Sequence, residues 1–166
     1  MQVTFGGNPV KLIGEEIKVG ANVPDFELTK RDLSPLTNKD LKGKIVIYSI
    51  VPSIDTGVCS LQTRTFNERA SELSDDVLIL TVSEDLPFAQ ARFCAAEGIE
   101  NADIASDYKT NDFGKKFGFL IDGLMLLARG IVVADRDGKV RYVEYVPEVT
   151  HEVNFDKAIE EAKKLV

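Results

Sequence analysis

Ile131-Val132-Val133-Ala134-Asp135-Arg136-Asp137-Gly138-Lys139-Val140-Arg141-Tyr142-Val143-Glu144-Tyr145-Val146 reads as two strands joined by a tight turn. The first strand is uninterruptedly apolar, whereas the second alternates, as a strand nearer a sheet edge does. Between them Asp135 to Lys139 supply the turn, with Gly138 free to adopt positive φ. An antiparallel pair at this point restricts what the rest of the chain can build.

Upstream, Ile45-Val46-Ile47-Tyr48-Ser49-Ile50-Val51 lies between Gly43 and Pro52, and Val77 to Val82 form a second apolar run. Continuous apolarity over such lengths predicts interior strands covered on both faces. Between these runs Val58, Leu61, Thr65, Phe66, Ala70 and Leu73 recur at helical spacing. A second helix is predicted from Phe88 through Ala96, ending before Gly98, with Ser83 or Asp85 as its cap. Ile99 to Ser106 suggests a short strand, and Asp107 to Phe117 contains a short helix followed by a loop from Gly118 to Gly123. Phe155, Ile159, Ala162 and Leu165 mark a terminal amphipathic helix.

Strand, helix, strand, helix, antiparallel hairpin and a last helix predict a mixed central sheet flanked by helices, an α/β architecture. A flavodoxin-like domain needs helices between its later strands, and the hairpin at Ile131 to Val146 argues against it. The thioredoxin-like fold satisfies the order. Val3, Phe5, Val10 and Leu12 add an N-terminal β-hairpin over residues 1–13, turning at Gly6-Gly7-Asn8-Pro9. A loop with Pro24, the run Phe26 to Thr29 and a short helix near Asn38 to Leu41 follow. With no internal repeat or linker, residues 1–166 are expected to form a single domain.

Composition narrows the function. A net charge of -7 argues against nucleic-acid and anionic-membrane surfaces. No apolar run reaches membrane-spanning length, and the N-terminus lacks a signal-peptide pattern, so a cytoplasmic protein is expected. A single histidine, His151, and two distant cysteines leave no metal-site spacing, and no phosphate loop or dinucleotide fingerprint is present.

The two cysteines carry the chemistry. Cys59 opens the predicted helix after the strand ending at Val51, where unpaired N–H groups and the positive end of the helix dipole favour a thiolate. Pro52 constrains the strand exit, and Asp55 or Thr56 is placed to cap the helix. Thr56, three residues before Cys59, is also placed to bring its hydroxyl to the sulfur or to a bound oxygen. An arginine would complete the pocket by favouring thiolate and polarising an incoming oxygen. Arg64, on the same helix, and Arg129, just before the Ile131 strand, are both candidates. The second thiol, Cys94, sits between Phe93 and Ala95, where a plain core role competes with chemistry.

Pro52-Ser53-Ile54-Asp55-Thr56-Gly57-Val58-Cys59 resembles the active-site loop of the peroxiredoxins: proline, three residues, threonine, two residues, cysteine. Its continuation through Asn67, the N-terminal hairpin, Phe93 to Gly98 and Leu126 to Gly130 resemble the bacterial thiol peroxidase subfamily, atypical two-cysteine peroxiredoxins. The likeness runs over the whole chain. It implies that Cys59 attacks the terminal peroxide oxygen, that Thr56 bonds thiolate and substrate, that Pro52 shields the pocket and that Arg129 stabilises the developing charge. It further implies that Cys94 resolves the resulting sulfenic acid as an intramolecular disulfide reduced by thioredoxin. A cytoplasmic homodimer reducing hydroperoxides, organic ones preferred, without metal, haem or flavin cofactor, completes the expectation.

Residue chemistry agrees with those steps, because an unresolved sulfenic acid is open to overoxidation. Disulfide geometry requires Cα atoms roughly 4.4–6.8 Å apart. Cysteines in two folded helices are not expected to meet this, so local unwinding is predicted on oxidation. Three alternatives compete: a disulfide reductase, which normally has Cys-x-x-Cys; a cysteine phosphatase, which needs a phosphate-cradling loop; and a noncatalytic thioredoxin-fold binding or chaperone module with buried cysteines.

Overall fold

The computed structural model describes residues 2–166. The chain begins with β1 (Gln2–Phe5) and β2 (Asn8–Ile13), followed by β3 (Glu27–Lys30), β4 (Pro35–Thr37), a 3-10 turn (Asn38–Leu41) and β5 (Ile45–Ile50). Helix α1 (Gly57–Arg69), β6 (Val77–Ser83), α2 (Pro87–Glu97), β7 (Asp103–Ser106), α3 (Asp112–Phe117) and β8 (Leu120–Ile121) come next. The chain then closes with β9 (Gly130–Ala134), β10 (Val140–Tyr145) and α4 (Phe155–Lys163).

Seven strands form the main sheet in the order β10-β9-β5-β6-β7-β3-β4. β5, β6 and β7 run parallel, while β9 pairs antiparallel with β5 and with β10. This is the thioredoxin-like fold, with the 131–146 hairpin forming one edge. A smaller sheet, β1-β2-β8, carries the N-terminal hairpin. Met1, the first residue of that expected hairpin, lies outside the described residues.

Every residue of β5 is buried, and alternation sends its side chains to opposite faces. Ile45 and Ile47 pack with Phe66, Cys94, Ile131, Val133 and Ile159, so α1, α2 and α4 cover one face. Val46, Tyr48 and Ile50 face Phe26, Phe113, Phe117 and the small sheet on the other. Two-sided cover is why the β5 and β6 segments read as unbroken apolar runs.

Four expectations need correction. β4 and β8 stand where none was anticipated, because strands of three and two residues carry no usable periodicity. The hairpin turns on Gly6 and Gly7 alone, with Asn8 opposite Phe5 and Pro9 opposite Thr4 already in β2. Neither Ser83 nor Asp85 caps α2, which starts with Leu86 at the cap and Pro87 in the first turn. The buried face of α1 was misjudged as well: Leu61 is 37% exposed, whereas Gln62 and Thr63 are each 1% exposed. Their polar groups find internal partners, so burial does not leave them unsatisfied.

Candidate active site

β5 ends against Pro52, and the chain turns through residues 53–56 into α1, placing Cys59 in the first helical turn. Asp85, two residues past the end of β6, holds that turn in place. Its carboxylate accepts from Ser53 Oγ at 2.7 Å and from the Ile54 N–H at 2.9 Å. Thr56 is the helix cap: its Oγ1 accepts from the Cys59 N–H at 3.2 Å and donates to the Ser53 carbonyl at 3.4 Å. The first bond reaches the Cys59 backbone rather than its sulfur and the second stays within the turn, so the cap is Thr56 rather than Asp55.

Arg129 lies immediately before β9, the strand beside β5, and is 2% exposed. Its three nitrogens have separate partners. Nε donates to the Val149 carbonyl at 2.6 Å, Nη1 to Gln62 Oε1 at 2.9 Å and Nη2 to Cys59 Sγ at 3.1 Å. Gln62 is itself held by a 2.8 Å bond from Nε2 to Ser49 Oγ on β5. Among the described residues, no carboxylate pairs with this buried guanidinium. Arg64, the other candidate, turns away: its Nη1 donates to Ser60 Oγ at 2.6 Å and lies 3.5 Å from a Glu97 carboxylate oxygen.

A cavity of about 180 Å³ opens at this place, lined chiefly by Phe5, Pro52, Thr56, Val58, Arg129 and Val149. Its walls are mostly apolar, with the guanidinium as the principal charged group. Cys59 is fully buried and, like Cys94, is a free thiol.

Cys94 occupies a different setting in the latter half of α2, seven residues beyond Pro87, or about 10 Å along the helix at its usual rise. It packs in the apolar layer with Phe66, Ile99 and Ile104. Burial pushes its thiol above the ordinary range, with the Arg31 guanidinium opposing.

The sequence reading missed Gln62, Ser49, Val149 and Asp85. Gln62 had one usable signal, its place one helical turn after Cys59; the others touch the site only through tertiary contacts.

A lone thiol at a helix N-terminus, bonded to a buried guanidinium on a thioredoxin-like sheet, defines a cysteine-based redox protein. The Redoxin family matches residues 18–159. The thiol peroxidase of Bacillus subtilis is 51% identical over 165 residues, covering 99% of this chain and 98% of that protein. A thiol peroxidase of Streptococcus pneumoniae is 51% identical over 163 residues, covering 98% and 99%. The crystal structure of a peroxiredoxin-like protein from Aquifex aeolicus superimposes with a TM-score of 0.93 at 40% identity, covering 99% of this chain and 97% of that one. The chain belongs to the redoxin family and, within it, to the thiol peroxidases.

Proposed function

We propose that this thiol-dependent peroxidase reduces hydroperoxides at Cys59. The thiolate attacks the terminal peroxide oxygen; the O–O bond breaks, that oxygen stays on sulfur with its hydrogen as sulfenic acid, and the departing oxygen takes the proton released when the thiol ionised and leaves as alcohol or water. The bond from Arg129 Nη2 to Cys59 Sγ carries this reading. A buried cation without a carboxylate partner is costly, and an anionic sulfur compensates it. The same guanidinium is placed to stabilise charge on the departing oxygen. Thr56 orients the helix start, and Pro52 excludes water from one side of the pocket.

In the second step the Cys94 thiol attacks the sulfenic sulfur, forming a Cys59–Cys94 disulfide and releasing water. Both cysteines sit within intact helices here, so we infer local unwinding around one or both. A thioredoxin dithiol then reduces the disulfide, a role that family membership supports. The apolar pocket favours organic hydroperoxides over hydrogen peroxide. A homodimer belongs to the same proposal and is checked by light scattering.

The decisive experiment treats reduced wild type and Cys94→Ser with one equivalent of cumene hydroperoxide, followed by intact mass with and without alkylation. Wild type should lose two alkylatable thiols without gaining oxygen, and the variant should gain one oxygen. Reaction no faster than that of a free thiol would sink the assignment of Cys59. Wild type that stops at sulfenic acid would remove Cys94 from the mechanism.

A further inference from the structure

Glu148, in the segment between β10 and α4, gathers donors from two distant parts of the chain. One carboxylate oxygen accepts from the Gly7 N–H at 2.7 Å and Thr4 Oγ1 at 3.0 Å. The other accepts from the Gly6 N–H at 3.2 Å, the Thr150 N–H at 2.8 Å and Thr150 Oγ1 at 2.6 Å. Gly6 and Gly7 have φ of 59° and 84°, and this turn presents successive N–H groups to one anion. The protein's own carboxylate fills the nest, and its donors hold it well below the usual carboxylate range. Backbone bonds of 2.8 Å from Thr4 N–H to the Pro147 carbonyl and from Val149 N–H to the Thr4 carbonyl flank the clamp.

The fastened segments bear on the pocket. Phe5 lies between two residues that bond Glu148, and Val149 and Thr150 directly follow Glu148; all three line the cavity whose wall also includes Thr56 and Arg129, the residue bonded to Cys59. They reach it from the side of the N-terminal hairpin, while Thr56 and Arg129 reach it from the sheet and α1.

We infer that Glu148 is a specificity-determining positioning residue, pinning the hairpin tip so that Phe5, Val149 and Thr150 form a fixed wall for the organic group of the hydroperoxide. The inference rests on the peroxidase reading of Cys59. The reacting oxygens meet Cys59 and Arg129, whereas only a substituent on the peroxide reaches this wall. Hydrogen peroxide has no such substituent. Loosening the wall therefore acts on the discrimination between the two kinds of substrate.

The test compares wild type, Glu148→Ala and Phe5→Ala with cumene hydroperoxide and with hydrogen peroxide. Phe5→Ala removes part of the wall without altering a clamp partner, so it serves if the Glu148 variant folds poorly. In both variants the ratio of kcat/KM for cumene hydroperoxide to that for hydrogen peroxide should fall about tenfold, the usual scale for a lost apolar contact, with most of the loss in KM. A ratio unchanged from wild type, whether both activities fall together or neither moves, overturns the inference. Wild type that turns over neither peroxide refutes the underlying reading and the inference with it.

Discussion

Cys59 and Cys94 are both buried thiols on helices that cover the same face of one sheet, yet their surroundings differ in kind. Around Cys59 the buried groups are polar: Gln62, Thr63, Ser49 and Arg129, linked from β5 through α1 to β9. Around Cys94 they are Phe66, Ile99 and Ile104. The first setting offers the Arg129 guanidinium to an anion and keeps it fixed through its bonds to the Val149 carbonyl and Gln62, which Ser49 holds in turn. The second penalises charge on sulfur through desolvation. Burial alone therefore says nothing about a thiol's chemistry; the polarity of what buries it decides.

The largest effect on this contrast comes from exchanging sulfur for oxygen at each position. Cys59→Ser should lower single-turnover peroxide consumption on the order of a thousandfold or more, because the proposed nucleophile is gone. Cys94→Ser should leave that first step near wild type and block thioredoxin-supported recycling. Stopped-flow peroxide consumption and a coupled thioredoxin assay separate the two. Equal losses in the first step would erase the proposed division of labour.

Arg129→Lys comes next. A single ammonium cannot meet the Val149 carbonyl, Gln62 Oε1 and Cys59 Sγ together in the planar fork that spans them. A loss of about a hundredfold in kcat/KM is expected, the scale of removing one preorganised donor. The melting temperature should fall too, since buried acceptors lose partners at about 1–3 kcal/mol each. Gln62→Leu should cost less, about tenfold in kcat/KM, by freeing the guanidinium to rotate without removing it. Activity equal to wild type would show that Val149 alone positions Arg129.

The smallest effect lies away from both cysteines. Glu84, beside Asp107 and Asn111, is pushed up to about 8, first by burial and then by the nearby Asp107 charge. Its folded value exceeds the ordinary 4.5, so the folded state holds the proton more tightly than the unfolded chain does. The associated stability is present below pH 4.5 and is lost as pH rises to about 8. Glu84→Gln keeps an acceptor for Asn111 Nδ2 and cannot ionise. Its melting temperature at pH 8 should exceed wild type by about 2–4 °C, roughly 1 kcal/mol at this size, and the gap should close at pH 4. A gap independent of pH would show that the carboxyl does not titrate there.

The uninterrupted runs at Ile45 and Val77 were legible from their length, the second strand of the 131–146 hairpin from its alternation and its turn, and the terminal helix from its helical period. β4 and β8 were not, since their pairing comes from neighbours remote in sequence. Within the site, local spacing placed a cap at Asp55 or Thr56, and the fold settles it on Thr56. The choice between Arg64 and Arg129 was not: spacing left both open, and only the resemblance to the thiol peroxidases favoured Arg129 in advance. The apolar pattern of α1 even misled, because Leu61 faces outward while Gln62 and Thr63 are buried.

What the sequence by itself determined is local: a strand ending before Pro52, a helix capped at Asp55 or Thr56 and a cysteine at its start, all set by backbone preferences within a few residues. The tertiary structure decided which cation meets that cysteine, what steadies it and what walls the pocket. Arg129, Gln62, Val149 and Glu148 are brought together only when β9 pairs with β5 and the 148–150 segment closes on the N-terminal hairpin. Hydrogen bonds between residues so far apart in the chain depend on strand order and packing, which no local pattern of side chains encodes.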